Sequence, residues 1–338
     1  TVFGDILLRT AQGNIIGKGA TTNNAAVIRV QSGGTIQTLG DGSAGSGLVG
    51  NAIDLLAGRS ILLGGNVTGH GGAIALLANG GGGQALGQAP ASVITMAQGS
   101  RIDAGTGAVK MRLLDGAGDP QRVNGAITLA SISAGRIDVR NLGTSAGTNI
   151  SVRAEGVLTA SASGRAIDLA SLGGEVINLA GDAGLVLTGG GHYGIFAATP
   201  SGSQIGSFAN YARRYNVANA AAYDALNPGG NFAAFRIAPV ITVTANDASR
   251  LYGSANPLFT ASFAGFMPGD GVSNLSGTPL FTTPATGTSS VGTFAINAIG
   301  CFVFGLLWAW NAGKWPAPLA AAAFTGFLGA FTTFSTFA

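Results

Sequence analysis

The chain has 338 residues, of which 57 are glycine, and its formal net charge is only +3. Charged residues make up 9% and apolar residues 46% of it, which excludes a disordered chain because disorder requires low hydrophobicity and high charge. Glycine does not recur at every third position, so collagen is excluded, and no Lys/Arg run with interleaved aromatic residues indicates nucleic-acid binding.

Both ends of the chain have the pattern of internal segments. Thr1 directly precedes the strand-like run Val2 to Leu8, with no charged region or apolar signal core before it, and Ala338 follows no polar tail. We therefore expect a piece of a longer protein. The single cysteine, Cys301, cannot form an internal disulfide.

Short runs of alternating apolar and polar residues recur through residues 1–205. Gly, Asn or Ser bounds each run, as strand ends and turns require, and successive runs are often about 20 residues apart, which is the coil length of a β-solenoid. Stacked coils bury the apolar face that one such strand cannot bury alone. We predict a mainly-β fold with a right-handed parallel β-solenoid over residues 1–205. The runs are Ala26–Val30, Ala52–Leu56, Ile61–Leu63, Ala73–Leu77, Gly125–Leu129, Ile132–Ser133, Asn149–Val152, Ala166–Leu169, Val176–Leu179 and Leu185–Leu187.

This composition and rhythm resemble the β-helical repeats of filamentous-haemagglutinin-like bacterial exoproteins. The resemblance implies a secreted or surface-exposed structural or adhesin-type protein without enzymatic activity. It also implies a host-cell structure or a glycan as the partner, and no cofactor for this part of the chain.

An aspartate follows an isoleucine at four strand-like positions, and an arginine precedes several of these pairs. One interpretation is an acidic ladder that binds Ca²⁺ or acts on polysaccharide, as in β-helical lyases; the other, which we favour, is a solvated outer face with arginine neighbours. The sequence shows no clear pair of carboxylates with a basic partner, so a polysaccharide lyase is the least favoured function. The isolated His70 and His192 support neither a zinc site nor a catalytic triad. The residues of the pattern are Asp54, Asp103, Asp138 and Asp168, with Arg101, Arg136 and Arg165.

Residues 206–238 change in composition and predict a helical cap or linker. Phe208–Tyr215 and Ala218–Leu226 are Ala-rich with helix-compatible spacing, and Asn227-Pro228 stops a helix. The run Tyr211, Arg213, Arg214 and Tyr215 could form a ligand patch, but packing against the last coil is the favoured interpretation.

Residues 239–291 form a separate β segment. Val240–Ala245 alternates and is β-branched, which predicts a strand. The run TANDASRLYGSANPLFTASFAGFMPGD closely resembles the MBG domain, a small bacterial module found in tandem in large surface proteins. The resemblance implies a β-sandwich-like stalk or spacer.

Residues 292–338 have a different, apolar composition. The stretch from Phe294 to Trp310 contains only one strongly polar residue, Asn297, and its length approaches that of a membrane-spanning helix. A second apolar stretch begins at Leu319. Tryptophans with Lys314 mark an interface end. We predict two C-terminal apolar, transmembrane-type α-helices in contact with the lipid bilayer, in preference to a pair of core helices.

The runs GTFAINAIGCFVFGLLWAW and TGFLGAFTTFSTF closely resemble the second and third transmembrane helices of CrcB-type fluoride channels. The resemblance implies a homodimeric, inner-membrane channel that transports fluoride and is stabilised by Na⁺. It implies that backbone carbonyls of Gly329 and Thr332 hold the Na⁺. The pore residues that it implies are Asn297, Phe334, Phe337, Thr333, Ser335 and Thr336.

The likeness to the channel family is partial. Ala330 stands where the family commonly has glycine, and neither the family's first helix nor its fourth has a counterpart in this sequence. The two resemblances also imply different cellular locations, which are the bacterial cell surface for residues 1–291 and the inner membrane for residues 292–338. Our interpretation is a surface protein joined to an incomplete channel segment near residues 288–296, with a fluoride channel as the alternative.

Overall fold

The computed structural model describes residues 4–17, 19–21, 26–40, 47–80, 91–116, 122–207, 210–251 and 254–282. The chain divides into two compact units. The first consists of Thr1–Val240 with Phe266–Asp270, and the second consists of Ile241–Gly265 with Gly271–Ala338.

The described part of the first unit contains 24 strands, most of them short and separated by glycine-containing turns. In chain order they are β1 (Ile6–Thr10), β2 (Ile15–Gly17), β3 (Gly19–Thr21), β4 (Val27–Ser32), β5 (Ile36–Thr38), β6 (Gly47–Gly50), β7 (Ala52–Ala57), β8 (Ile61–Leu63), β9 (Asn66–Gly69), β10 (Ile74–Ala78), β11 (Ser92–Met96), β12 (Arg101–Asp103), β13 (Ala108–Leu113), β14 (Asn124–Leu129), β15 (Ser131–Ala134), β16 (Arg136–Asn141), β17 (Ile150–Val152), β18 (Leu158–Ala160), β19 (Arg165–Ser171), β20 (Val176–Asn178), β21 (Leu185–Leu187), β22 (His192–Ala197), β23 (Ala212–Arg214) and β24 (Phe232–Phe235).

These strands form three parallel sheets, because each coil of the chain adds one strand to each sheet in turn. The long sheet has the order β1-β4-β7-β10-β13-β16-β19-β22-β24-β23. The second sheet runs from β2 to β20 and the third from β3 to β21, each with seven strands among the described residues. The predicted parallel β-solenoid is therefore confirmed as an architecture, and its right-handed sense stays a prediction.

The core is a set of apolar columns inside the coil. In the long sheet Ile28, Ile53, Ile74 and Val109 lie in register, and each is fully buried, while the residues that alternate with them point outward. Burial of each such side chain contributes roughly 1.5–3 kcal/mol to folding. The coil length is less regular than predicted, at 21 residues from Ile53 to Ile74 and 35 residues from Ile74 to Val109.

A ladder of buried amides follows one corner of the coil. Asn79 Nδ2 donates to Asn124 Oδ1 at 2.7 Å, and Asn124 Nδ2 donates to Asn141 Oδ1 at 3.1 Å. Asn141 Nδ2 in turn donates to the Gly125 carbonyl oxygen at 2.8 Å. Because these amides bond one another from coil to coil, the cost of burying them is offset and the corners stay in register.

The prediction of helix over Phe208–Tyr215 is wrong where the structure describes it. Residues Ala212–Arg214 form β23, which pairs in parallel with β24 at the end of the long sheet. The free backbone groups of β24 offer hydrogen bonds that outweigh the weak helix preference of this run. The second predicted helix is confirmed in part as α1 (Ala220–Asp224), which Asn219 caps by accepting a hydrogen bond from Ala222 N at 2.9 Å.

The second unit is described as far as residue 282. Strands β25 (Thr242–Ala245) and β26 (Ala261–Ala264) pair antiparallel, which confirms the strand predicted at Val240–Ala245, and a short 3₁₀ helix spans Val272–Asn274. The two apolar helices predicted over residues 292–338 lie outside the described residues. Within the described ranges no helix is long and apolar enough to cross a membrane.

Candidate functional site

The outward-facing residues of the long sheet form a row that runs from coil to coil. The register aligns Arg29 with Asp54, and Asp138 with Asp168, on neighbouring strands. Alanine and lysine occupy the two coils between these pairs, so the row is not a continuous acidic ladder. Asp103 is not part of it, because that residue lies on β12 of the third sheet. In order, the row is Arg29, Asp54, Ala75, Lys110, Asp138 and Asp168.

At its C-terminal end the row belongs to an ionic network, here termed the charge cluster. Arg140 is its centre, because its Nη2 lies 3.1 Å from Asp168 Oδ2 and 2.7 Å from Asp224 Oδ1, and its Nε lies 3.3 Å from Asp138 Oδ1. The charge cluster consists of Arg112, Asp138, Arg140, Arg165, Asp168 and Asp224.

The helix α1 covers this cluster with an aromatic residue. Tyr223 is fully buried and its hydroxyl donates to Asp168 Oδ1 at 2.5 Å. Its ring lies 5.2 Å from that of Phe196 and 5.7 Å from that of Phe232. The Arg165 guanidinium lies over the same ring at 4.8 Å, a cation–π contact. Asp168 is thereby completely removed from solvent.

The contacts of the cluster favour the charged forms of Arg140 and Asp224. The hydrogen bond to Asp224 raises the pKa of the Arg140 guanidinium, and attraction from Asp168 and Asp138 adds to this against the opposing effect of burial. The same hydrogen bond lowers the pKa of Asp224. Burial, followed by the charge of Asp168, raises the pKa of Tyr223, so this residue remains a neutral donor.

The prediction of a solvated outer face is right at one end of the row and wrong at the other. Arg29 and Asp54 pair at 2.8 Å with 56% and 28% of their side chains exposed. Asp168 is 0% exposed, because α1 packs over it. No local signal in the Ile-Asp pattern distinguishes the two, since Tyr223 is 55 residues away from Asp168.

The aromatic and basic run after the last coil packs as predicted. Tyr211 is buried, Tyr215 stacks on Phe235 at 5.8 Å, and Arg213 pairs with Asp270 at 2.7 Å. Burial acts to raise the pKa of Asp270, but the hydrogen bonds from Arg213 and Tyr215 outweigh it and lower that pKa. Tyr211, Arg213 and Tyr215 stand at every second position, and this period of two was the sequence signal for a strand that the helix prediction missed.

The disfavoured calcium interpretation and the predicted channel site have different outcomes. Among the described residues no group of three or more His, Cys, Asp and Glu side chains could hold a metal ion. The predicted channel residues all lie outside the described residues, namely Asn297, Gly329, Thr332, Thr333, Phe334, Ser335, Thr336 and Phe337.

The described part of the first unit thus has the architecture of a parallel β-solenoid repeat protein. Two family models match the remainder: the MBG domain (YGX type) over residues 241–301 and the CrcB-like protein, Camphor Resistance (CrcB), over residues 272–338. The resemblances to the MBG domain and to CrcB-type channels are therefore confirmed, and the one to filamentous-haemagglutinin-like proteins stays a prediction. The two matches share residues 272–301, which include the region where we placed the join.

Curated relatives match only the C-terminal part. A fluoride-specific ion channel FluC 2 of Moorella thermoacetica is 51% identical over 51 residues, which are 15% of this chain and 42% of that protein. The FluC channels of Nitrosococcus oceani and Solidesulfovibrio magneticus are 47% identical over 49 residues and 52% over 48, covering 14% of this chain each and 39% and 38% of those proteins. The chain therefore spans about two fifths of the length of these relatives. No solved structure matches the chain.

Proposed function

We propose that the chain is a non-enzymatic structural or adhesin-type protein of the bacterial cell surface, in which the solenoid is the working part. The observation that carries the proposal is the ten-stranded parallel sheet of the first unit, which continues from coil to coil. Stacked repeats of this kind provide extended surfaces for binding a partner.

The charge cluster supports a role without catalysis. Its carboxylates are engaged by arginine guanidinium groups and by the Tyr223 hydroxyl, so they stabilise the coil stack. A polysaccharide lyase needs a base that can reach the substrate, and Asp168 is wholly buried. The MBG match over residues 241–301 adds to the proposal, because that module resembles the spacers of large surface proteins.

Surface exposure is the direct test. An epitope placed next to the exposed Gly229 should be labelled by antibody on intact bacterial cells and removed by external protease. An inner-membrane protein carrying the same epitope on its cytoplasmic side is the matched control and should stay unlabelled. Labelling that requires permeabilised cells would contradict the surface role.

A fluoride channel is the second candidate, carried by the matches to FluC proteins over the C-terminal part. In this candidate the segment crosses the inner membrane in a homodimer, Asn297 and the ring edges of Phe334 and Phe337 line a fluoride pathway, and carbonyls of Gly329 and Thr332 bind Na⁺. Amide donors and the positive edges of aromatic rings suit a small anion.

Fluoride efflux from liposomes that contain the chain tests this candidate. Efflux that depends on Na⁺ and is abolished by Asn297→Asp would support it. The matched control is Asn256→Asp, the same change at an exposed position of the second unit, which should leave efflux unchanged. Absence of fluoride efflux from the wild-type liposomes would count against this candidate.

A further inference from the structure

A cleft of about 220 Å³ lies at the C-terminal end of the solenoid, apart from the charge cluster. Asp182, in the short 3₁₀ helix Gly181–Gly184, and Leu185 of β21 contribute to its lining. Tyr193 of β22 and Asn231, which directly precedes β24, also line it. The volume is below that of sites for drug-sized ligands, so it suits a ligand of about one ring.

Two hydrogen-bond donors of the cleft are only weakly engaged. The Tyr193 hydroxyl lies 3.5 Å, and Asn231 Nδ2 lies 3.4 Å, from the same acceptor, the Asn210 carbonyl oxygen. Both distances exceed the usual range of protein hydrogen bonds, so both donors can turn to a ligand oxygen at little cost. Asn231 Oδ1 accepts the Tyr193 backbone N–H at 3.0 Å, which holds the amide in place.

Asp182 supplies hydrogen-bond acceptors to the cleft. Its Oδ1 accepts the Ser207 backbone N–H at 2.6 Å, which uses one of the roughly four lone-pair sites of a carboxylate. No ion pair between described residues includes Asp182. The cleft therefore disfavours an anion and offers acceptors to ligand hydroxyl groups.

The lining of the cleft is mostly polar, and Leu185 and Ile205 add apolar side chains to it. Burial raises the pKa of Tyr193 above its ordinary value, so the hydroxyl stays protonated across physiological pH. A small ring with hydroxyls at its edge and C–H groups on its face matches this combination of donors, acceptors and apolar surface.

We propose that this cleft binds a neutral monosaccharide unit of a glycan. Asp182 accepts hydrogen bonds from the sugar hydroxyls, while Tyr193 and Asn231 donate to its oxygens. The proposal deepens the surface role and rests on it for the source of the ligand.

The test uses the full chain in detergent with free galactose, glucose, mannose and N-acetylglucosamine as probes, measured by saturation-transfer NMR and by titration. Tyr193→Phe removes one neutral hydrogen bond and should weaken the bound sugar about 3- to 10-fold. Asp182→Asn keeps an acceptor for Ser207 but removes the charge, and should weaken it about tenfold or more. The matched control is Asp103→Asn, because Asp103 Oδ1 also accepts a backbone N–H, from Gly105 at 2.9 Å, on the third sheet.

Each outcome bears on the proposal. Binding that is weakened by these factors in the two cleft variants, unchanged in Asp103→Asn, and accompanied by wild-type circular dichroism supports it. No binding of any of the four sugars overturns it, as does binding that the cleft variants leave unchanged, or tighter binding of methylammonium than of any sugar. The cell-surface labelling experiment does not depend on sugar binding. A failure of the proposed surface role can therefore be distinguished from a failure of the proposed sugar site.

Discussion

Asp168→Asn is the sharpest perturbation of the solenoid, and Asp54→Asn is its matched control. Both aspartates occupy the same outward row of the long sheet, and both pair with arginine. They differ in burial, because Asp168 is 0% exposed and Asp54 is 28% exposed. The two variants therefore compare the loss of a buried carboxylate with the loss of a partly exposed one in the same row.

The expected magnitudes follow from the contacts. Asparagine at 168 removes the charge that faces Arg140 and Arg165 and weakens the bond from Tyr223, and breaking a buried pair costs about 3–5 kcal/mol. Arg140 keeps Asp138 and Asp224, so we expect the lower end, about 3 kcal/mol. Asp54→Asn breaks a solvated pair and should cost less than about 1 kcal/mol.

Hydrogen exchange is the suitable assay, because a solenoid is stabilised by contacts between neighbouring coils and need not unfold in one step. A loss of about 3 kcal/mol should accelerate amide exchange in β16, β19 and β22 about 100-fold, against about fivefold or less near β7 for Asp54→Asn. A second variant, Tyr223→Phe, should be non-additive with Asp168→Asn by about 0.5–3 kcal/mol, since the two residues share a hydrogen bond. Equal acceleration in the two aspartate variants, or additive effects with Tyr223→Phe, would refute the assignment of the stability to the buried charge.

Two further predictions concern backbone packing and pH. Gly189→Ala should lower the free energy of unfolding by about 1–3 kcal/mol, because a Cβ at this position would lie 1.7 Å from the Ser161 carbonyl oxygen. A Cβ at Gly230 would have no atom within 4 Å, so Gly230→Ala should leave the stability measured by chemical unfolding unchanged. Equal stabilities would contradict this. Burial, with the nearby Arg165, lowers the pKa of His192, and its Nε2 is buried without a hydrogen bond. The unfolded state therefore takes up the proton first, so stability should fall as pH drops below about 6.5, and His192→Gln should flatten this part of the stability profile; an unchanged slope would count against it.

Much of the solenoid core could be predicted from local pattern. Ile61–Leu63 and Leu185–Leu187 are strands at the predicted bounds, because short apolar runs between turn residues can pair with the strands of neighbouring coils. The coil length could not be predicted as well, since residues added at a corner leave the strand register intact. Neither the charge cluster nor the cleft was predicted, because each combines residues from several coils.

The sequence by itself determined the parallel stack of coils and the two C-terminal family resemblances, since both depend on residue types at fixed short spacings. Only the tertiary structure decided that Ala212–Arg214 is a strand, that Asp168 is buried, and that Arg140 bonds Asp224 across 84 residues of sequence. The physical reason is the range of the interactions. Strand alternation is a property of neighbouring residues, whereas desolvation and ion pairing depend on which distant segment folds over a given face.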